Sequence, residues 1–423
     1  MVLKKSLLWA VLAACSVSAL PAFLDIDLPA NNGLPGIDIK IDLPGVNLAI
    51  AAKLNASGVA TIVEADRARL TQLKNAFLPL KKRQQTSIDI TNTAVTFTAT
   101  VDIGSPATAY TLLVDTGSSN TWVGGDQQYK PTSTSHDTGE GVSVTYGGGS
   151  FSGEEYTDKV DLGNGLVINN QSIGIAQQAK SFGNGIDGIL GVGPTDLTQG
   201  SLKNNSSATI PTVVDNLAAQ GTIGSAALGM FYTPYAESGA QGVLTFGGAN
   251  PALYTGELNY VDITQTYPAS EYWGIEQAIS YGSTSIQSMT AGIIDSGTTM
   301  IMLATDAFNA YQQATGAVED QQTGFLKITK EQYGNLQPLN FNIGGITYSL
   351  SPNGQIWPRS LNGVFGGSDD DAYLVVGNSG SNSGEGFDFI NGYLWMERFY
   401  TVFDTANKQI GVATTKYTDS EAN

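Results

Sequence analysis

From Thr91 to the end of the chain, apolar residues come in short runs interrupted by glycine, asparagine and proline: TAVTFTATVDIG, YTLLVDTG, GVSVTYGGG, GVLTFGG, GGITYSL and YTVFDTANKQIGVA. Branched and aromatic residues alternating with polar ones, with frequent turn signals between them, predict many short strands. Helical periodicity is brief, as in TVVDNLAAQG and TDAFNAYQQATG. The pattern before Thr91 differs. An apolar run, LLWAVLAACSVSA, fills residues 7–19, and LDIDLP and then IDIKIDLPG (37–45) alternate apolar and charged positions like strands. Next, IVEADRARLTQLKNAFL places Val63, Leu70, Leu73 and Phe77 at near-helical spacing. The expected fold class is all-β. At 423 residues the chain exceeds the roughly 250 to 300 that one core holds, so two lobes are expected.

The first apolar run follows Lys4 and Lys5 and closes on the small residues Ser18 and Ala19. That order describes a secretory signal peptide over residues 1–19, and the run is shorter than the roughly 20 apolar residues of a membrane span. The segment after it ends in KKR at 81–83, a site suited to a dibasic-specific processing protease. Residues 20–83 are therefore expected to be a pro-segment. The expected destination is outside the cell, with the vacuole as the lesser alternative.

Charge sharpens this division. The chain carries a net −18 with only 14% charged residues. Residues 20–83 hold slightly more bases than acids, so the negative charge lies on the body that follows. Such a body repels phosphate backbones and anionic bilayers, so no nucleic-acid or membrane partner is expected. Its own basic pro-segment is the complementary surface.

The lone cysteine, Cys15, falls in the signal, which removes disulfides, thiol nucleophiles and thiolate metal sites from the mature protein. His136, the only histidine, stands in a polar stretch read as a solvated loop, so a His-rich zinc site is out of reach. The acids at 369–371 read as a surface loop, and GNGIDG (183–188) lacks the strand and helix that a dinucleotide site needs. No cofactor and no metal are expected. Asn170, Asn204 and Asn205 begin candidate glycosylation sequons.

What remains is a repeat. LLVDTGSSNTWV (112–123) returns as GIIDSGTTMIML (292–303), and each copy has a later apolar stretch with glycine, DGILGVG (187–193) and FINGYLWMERFYTVFD (389–404). A duplicated lobe leaves such a trace. Each copy carries one acid, Asp115 or Asp295, from an apolar strand into a glycine turn flanked by hydroxyls. Two such turns face to face would make two carboxyls compete for one proton, so that one serves as acid and the other as base. Water held between them could then attack a polarised amide, with no metal or histidine involved.

On these motifs the chain from about Ser87 onward resembles the pepsin-like aspartic endopeptidases, and its cysteine-free ending is similar to their basidiomycete fungal branch. The resemblance implies a bilobal all-β fold, an N-terminal lobe over 84–258 with a β-hairpin flap and a C-terminal lobe over 259–423. It implies polypeptide substrates, inhibition by the chain's own pro-segment and a monomer. Asp115 and Asp295 would be catalytic. Thr116 and Ser296 would brace the two loops across the pseudo-twofold, Ser118 and Thr298 would orient the carboxylates, and Gly117 and Gly297 would complete the turns. Tyr146, Gly147 and Gly148 would belong to the flap, with Trp122 beneath Tyr146.

Three departures stand out. Gly148 replaces a polar or acidic flap residue, which implies a preference for apolar residues beside the scissile bond. Asn391 replaces an apolar core residue, and Ser296 replaces threonine. A catalytically silent binding or inhibitor protein on the same fold is the alternative reading.

Overall fold

The computed structural model describes residues 45–54, 61–76, 95–147, 149–180, 182, 185–238 and 241–423. The signal run, the alternating stretch at 37–45 up to residue 44, Phe77, the basic triplet at 81–83 and Gly148 lie outside the described residues.

The first acid turn grows out of strand Thr108–Asp115, which is buried throughout from Leu112 onward. Burial on both faces requires an apolar run rather than an alternating one, and LLV supplies it. The strand pairs antiparallel with Val95–Ile103 and parallel with Gly188–Gly191, which sets Val114 beside Leu190 and Asp115 beside Gly191. Trp122–Val123 leaves the turn and runs back antiparallel along Gly188–Gly191, then parallel to Val167–Lys180.

The second lobe repeats this weave. Strand Thr284–Ile294 lies parallel to Phe389–Asn391, and Ile301–Leu303 returns antiparallel to it and parallel to Val376–Asn378. The duplication read in the sequence is thus a duplication of topology, each copy ending a central strand in an acid.

Strands from the end of the chain tie the halves together. Phe399–Asp404 pairs with Ala227–Tyr232, and Gln409–Thr414 pairs with Thr255–Asp262, so one 13-stranded sheet runs through both lobes. Positions 258 and 259 both lie inside strand Thr255–Asp262. Strand Val46–Leu54, from the segment ahead of the body, is inserted between Gln241–Phe246 and Val95–Ile103. Leu48 and Ile50 point into the core while Asn47 and Ala49 are exposed, the period-two pattern of a half-buried strand.

The brief helical stretches form helices Val213–Ala219, started by a capping box between Thr212 and Asp215, and Thr305–Thr315, ended by Gly316 at φ 68°. Among the described residues no helix is long and apolar enough to cross a membrane. His136 is exposed, but it begins strand His136–Tyr146 instead of sitting in a loop. Asn170, Asn204 and Asn205 are all exposed. Asp371 accepts from Lys327 Nζ at 2.7 Å.

Asn391, the polar intruder in the second lobe, is fully buried yet satisfied. Its Nδ2 donates to Gln277 Oε1 at 2.9 Å, and Gln277 Nε2 donates back to Asn391 Oδ1 at 3.1 Å. Both side chains are 0% exposed. Removing one partner strands a buried amide, whereas removing both leaves an apolar contact. Asn391→Leu is therefore expected to lower unfolding stability by about 1 to 3 kcal/mol, and adding Gln277→Leu to restore most of it. Thermal melts of the single and double variants check this; equal melting temperatures for the two would contradict the pairing.

Candidate active site

The two strand ends deliver Asp115 and Asp295 to one point, and the residues after each acid lock to the opposite lobe. Thr116 Oγ1 accepts from Ser296 N at 2.9 Å, and Ser296 Oγ accepts from Thr116 N at 3.1 Å. Each hydroxyl also donates across the interface, Thr116 to Ile294 O and Ser296 to Val114 O. Serine in place of threonine thus preserves every bond of the brace.

Within each turn the carboxylate is held by two donors. Asp115 Oδ1 accepts from Gly117 N at 3.0 Å and its Oδ2 from Ser118 Oγ at 2.5 Å. Asp295 Oδ1 accepts from Gly297 N at 3.0 Å and its Oδ2 from Thr298 Oγ1 at 2.6 Å. The hydroxyls therefore orient the outer oxygens, leaving the Oδ1 atoms to face each other. Glycine is required in both turns by the acid of the other lobe. A Cβ on Gly117 would lie 2.7 Å from Asp295 Oδ1, and one on Gly297 would lie 2.5 Å from Asp115 Oδ1.

Between the carboxylates sits a guanidinium. Arg69 Nη2 lies 2.5 Å from Asp115 Oδ1 and 2.9 Å from Asp295 Oδ1, while Nε donates to Asp295 Oδ2 at 2.6 Å. Both acids are fully buried and the arginine side chain is 11% exposed. Burial pushes the Asp115 carboxyl up, and the repulsion of Asp295 adds to this against the pull of Arg69. Burial also works against Asp295, but there the charge and hydrogen bonds of Arg69, with Thr298 and Gly297, outweigh it and hold the carboxyl below its ordinary value.

Arg69 belongs to helix Ile62–Asn75, whose first turn is capped by Thr61 Oγ1 accepting from Glu64 N at 3.1 Å. Ile62, Val63, Leu70 and Leu73 are buried as the spacing predicts. Asp66 is buried with them, accepting from Thr299 N at 3.1 Å and Met300 N at 2.8 Å. Burial raises its carboxyl to about 7, against the lowering effect of those two amides. Further along, Tyr272 OH donates to Leu73 O at 2.9 Å.

The flap closes over this helix. Strands His136–Tyr146 and Gly149–Asp161 pair out to Tyr146 and Gly149. Gln72 Nε2 donates to Thr145 O at 2.6 Å, and a Cβ on Gly147 would come 2.0 Å from Arg69 Cα. Tyr146 and Trp122 share one apolar cluster with Leu113, Phe151 and Ile189. Trp122 stacks on Phe151 at 4.5 Å, and the Phe182 ring meets both Trp122 and Tyr146 edge-on. Neither the Tyr146 hydroxyl nor the Trp122 indole N–H reaches a hydrogen-bond partner of good geometry.

Every residue foreseen for the two turns meets in this one cluster, and Tyr146, Gly147 and Trp122 lie beside it. Arg69 and Asp66 were not foreseen. Both fall on the stripe of Val63, Leu70 and Leu73, where a helix that merely packs would carry no charge, but what the charges serve shows only against the groups opposite them.

A two-lobed β protein whose repeated turns bring two buried carboxylates together has the architecture of an acid protease. Residues 96–415 match the family model described as eukaryotic aspartyl protease, and the chain belongs to that family. It is 56% identical over 339 residues to polyporopepsin of Irpex lacteus, covering 80% of this chain and 99% of that one. Pepsin A of Sus scrofa is 30% identical over 70% of this chain and 75% of its own length. The crystal structure of aspartic proteinase from Irpex lacteus superposes with a TM-score of 0.75, covering 78% of this chain and 96% of that one. The chain is an aspartic-type endopeptidase with the pepsin-like fold that its repeat implied.

Proposed function

We propose that Asp115 and Asp295 are the catalytic pair and that residues 20–83 are a pro-segment that holds them shut until it is removed. The observation that carries this reading is the position of Arg69 Nη2, within 2.9 Å of the inner oxygen of both acids. A water at that point would hydrogen-bond to both carboxyls. One carboxyl retains the shared proton and polarises the scissile carbonyl, while the ionised one takes a proton from the water as its oxygen bonds to carbon. The tetrahedral intermediate collapses as a proton passes to the departing nitrogen, leaving a carboxylic acid and an amine. Arg69 mimics no step of this; it fills the water's place with a cation, whose charge favours the ionised form of both carboxyls.

The mature enzyme works in acid, because two buried like charges this close cannot both ionise and one proton must remain. It acts outside the cell as a monomer, on extended polypeptides laid under the flap. Gly148 and the apolar cluster of Tyr146, Phe151 and Ile189 favour apolar residues beside the cleaved bond. The test is mass-spectrometric mapping of products from an unfolded protein at about pH 4. Internal cuts between apolar residues are expected; trimming from the ends, or cuts confined to charged pairs, would contradict the reading.

A further inference from the structure

The pro-segment helix carries a second base that reaches the C-terminal lobe. Lys74 Nζ donates to Ser381 Oγ and lies 3.0 Å from Glu385 Oε2. Its side chain is only 15% exposed, while that of Glu385 is 56% exposed. Among the described residues Lys74 is the one cation paired with Glu385. A third base, Arg67, uses Nε to hold Asn378 O at 3.1 Å, on the same serine- and glycine-rich loop. That loop is built for the task. Asp388, itself 1% exposed, accepts from Gly384 N and Glu385 N, and Asp306 accepts from Ser383 N. Its backbone is pinned at Ser383, Gly384 and Glu385 even though the glutamate side chain reaches into solvent.

We infer that Ser381 and Glu385 form a substrate subsite for a basic side chain, which Lys74 occupies until the pro-segment leaves. This rests on the pro-segment reading above. Five residues of helix separate Lys74 from Arg69, a rise of about 7.5 Å. An extended substrate advances roughly 3.3 Å per residue, so the position served lies two or three residues from the cleaved bond. The enzyme thus combines apolar contacts at the bond with a charge contact further along the substrate. Once Lys74 departs, the exposed glutamate is left without its cation, and a lysine or arginine of the substrate replaces it.

The test uses the mature enzyme and internally quenched peptides with apolar residues at one cleavable bond. Lysine, glutamine or norleucine is moved through each remaining position, and kcat/KM is measured at about pH 5.5 and low salt. One position two or three residues from the bond is expected to favour lysine over glutamine and norleucine roughly 2- to 5-fold, the range of a partly exposed ion pair. Glu385→Gln is expected to bring that ratio to about one, and high salt to shrink it. A ratio unchanged by Glu385→Gln, or no position that favours lysine, overturns the subsite. Cleavage of the glutamine peptides proceeds in either case if the catalytic reading holds, so failure of the subsite and failure of the protease reading give different results.

Discussion

Asp115→Asn and Asp295→Asn are each expected to abolish hydrolysis of an unfolded protein at acid pH, with kcat/KM lower by roughly a thousandfold or more. In the proposed mechanism each acid serves in turn as base and as proton donor, and such roles contribute about 100- to 10,000-fold. The change is close to isosteric. At each position the asparagine oxygen can still accept from Gly117 N or Gly297 N, while its amide N–H donates to Ser118 Oγ or Thr298 Oγ1, whose hydroxyl turns to accept. The brace between Thr116 and Ser296 does not involve the carboxylates at all. The variants should therefore fold, and circular dichroism with a thermal melt separates lost chemistry from lost structure. Full activity in either folded variant would sink the assignment.

The second large effect concerns Arg69. Replacing it with methionine preserves the stem and removes the charge, leaving two buried carboxylates without their shared cation. Breaking a buried ion pair from one side costs about 3 to 5 kcal/mol, which is roughly two to four orders of magnitude in the balance between closed and open helix. Arg69→Met in the full chain is expected to expose the active site at neutral pH, read as binding of a transition-state-like peptide inhibitor by the unprocessed chain. Binding no tighter than to the parent chain would contradict the block.

Acid acts on the same contact. Arg69 holds Asp295 below its ordinary value, so this contribution to docking is present above the ordinary carboxylate range and is lost as pH falls through the docked value. Asp66 works in the opposite sense. Its carboxyl is raised to about 7 while docked, so docking takes up a proton, and this contribution grows as pH drops from about 7 toward the ordinary value. Release in acid therefore depends on Asp295, with Asp66 and the raised carboxyl of Asp115 opposing it.

The chain displayed its acid pair openly because the chemistry is repeated: two strands, two turns and two glycines, each glycine required by the carboxylate opposite. The hydroxyls beside each acid were visible in the repeat, while the brace of Thr116 with Ser296 and the orienting roles of Ser118 and Thr298 came from the family resemblance. What stayed hidden lies on residues without a copy. Arg69 and Asp66 occur once, in a helix whose apolar spacing was visible but whose two buried charges make sense only against the Thr299–Met300 backbone and the carboxylates. Asn391 looked like a defect because Gln277, its partner, is distant in sequence and lies on strand Gly274–Tyr281. Strand Val46–Leu54 carries a clear alternation of its own, yet the more strongly charged alternation at 37–45 drew the reading away from it. His136 lacked apolar neighbours to mark a strand, and its register against Thr157 comes from the long hairpin behind it.

Proton sharing between the two carboxyls would give the pH dependence of the rate a signature of its own. The most direct measurement is kcat/KM of the mature enzyme on one peptide from about pH 2 to pH 8, beside both asparagine variants. A bell-shaped profile confined to acid, with both variants at background throughout, is the predicted result. A rate that climbs above pH 7 on a single ionisation, or that survives in either variant, would contradict it.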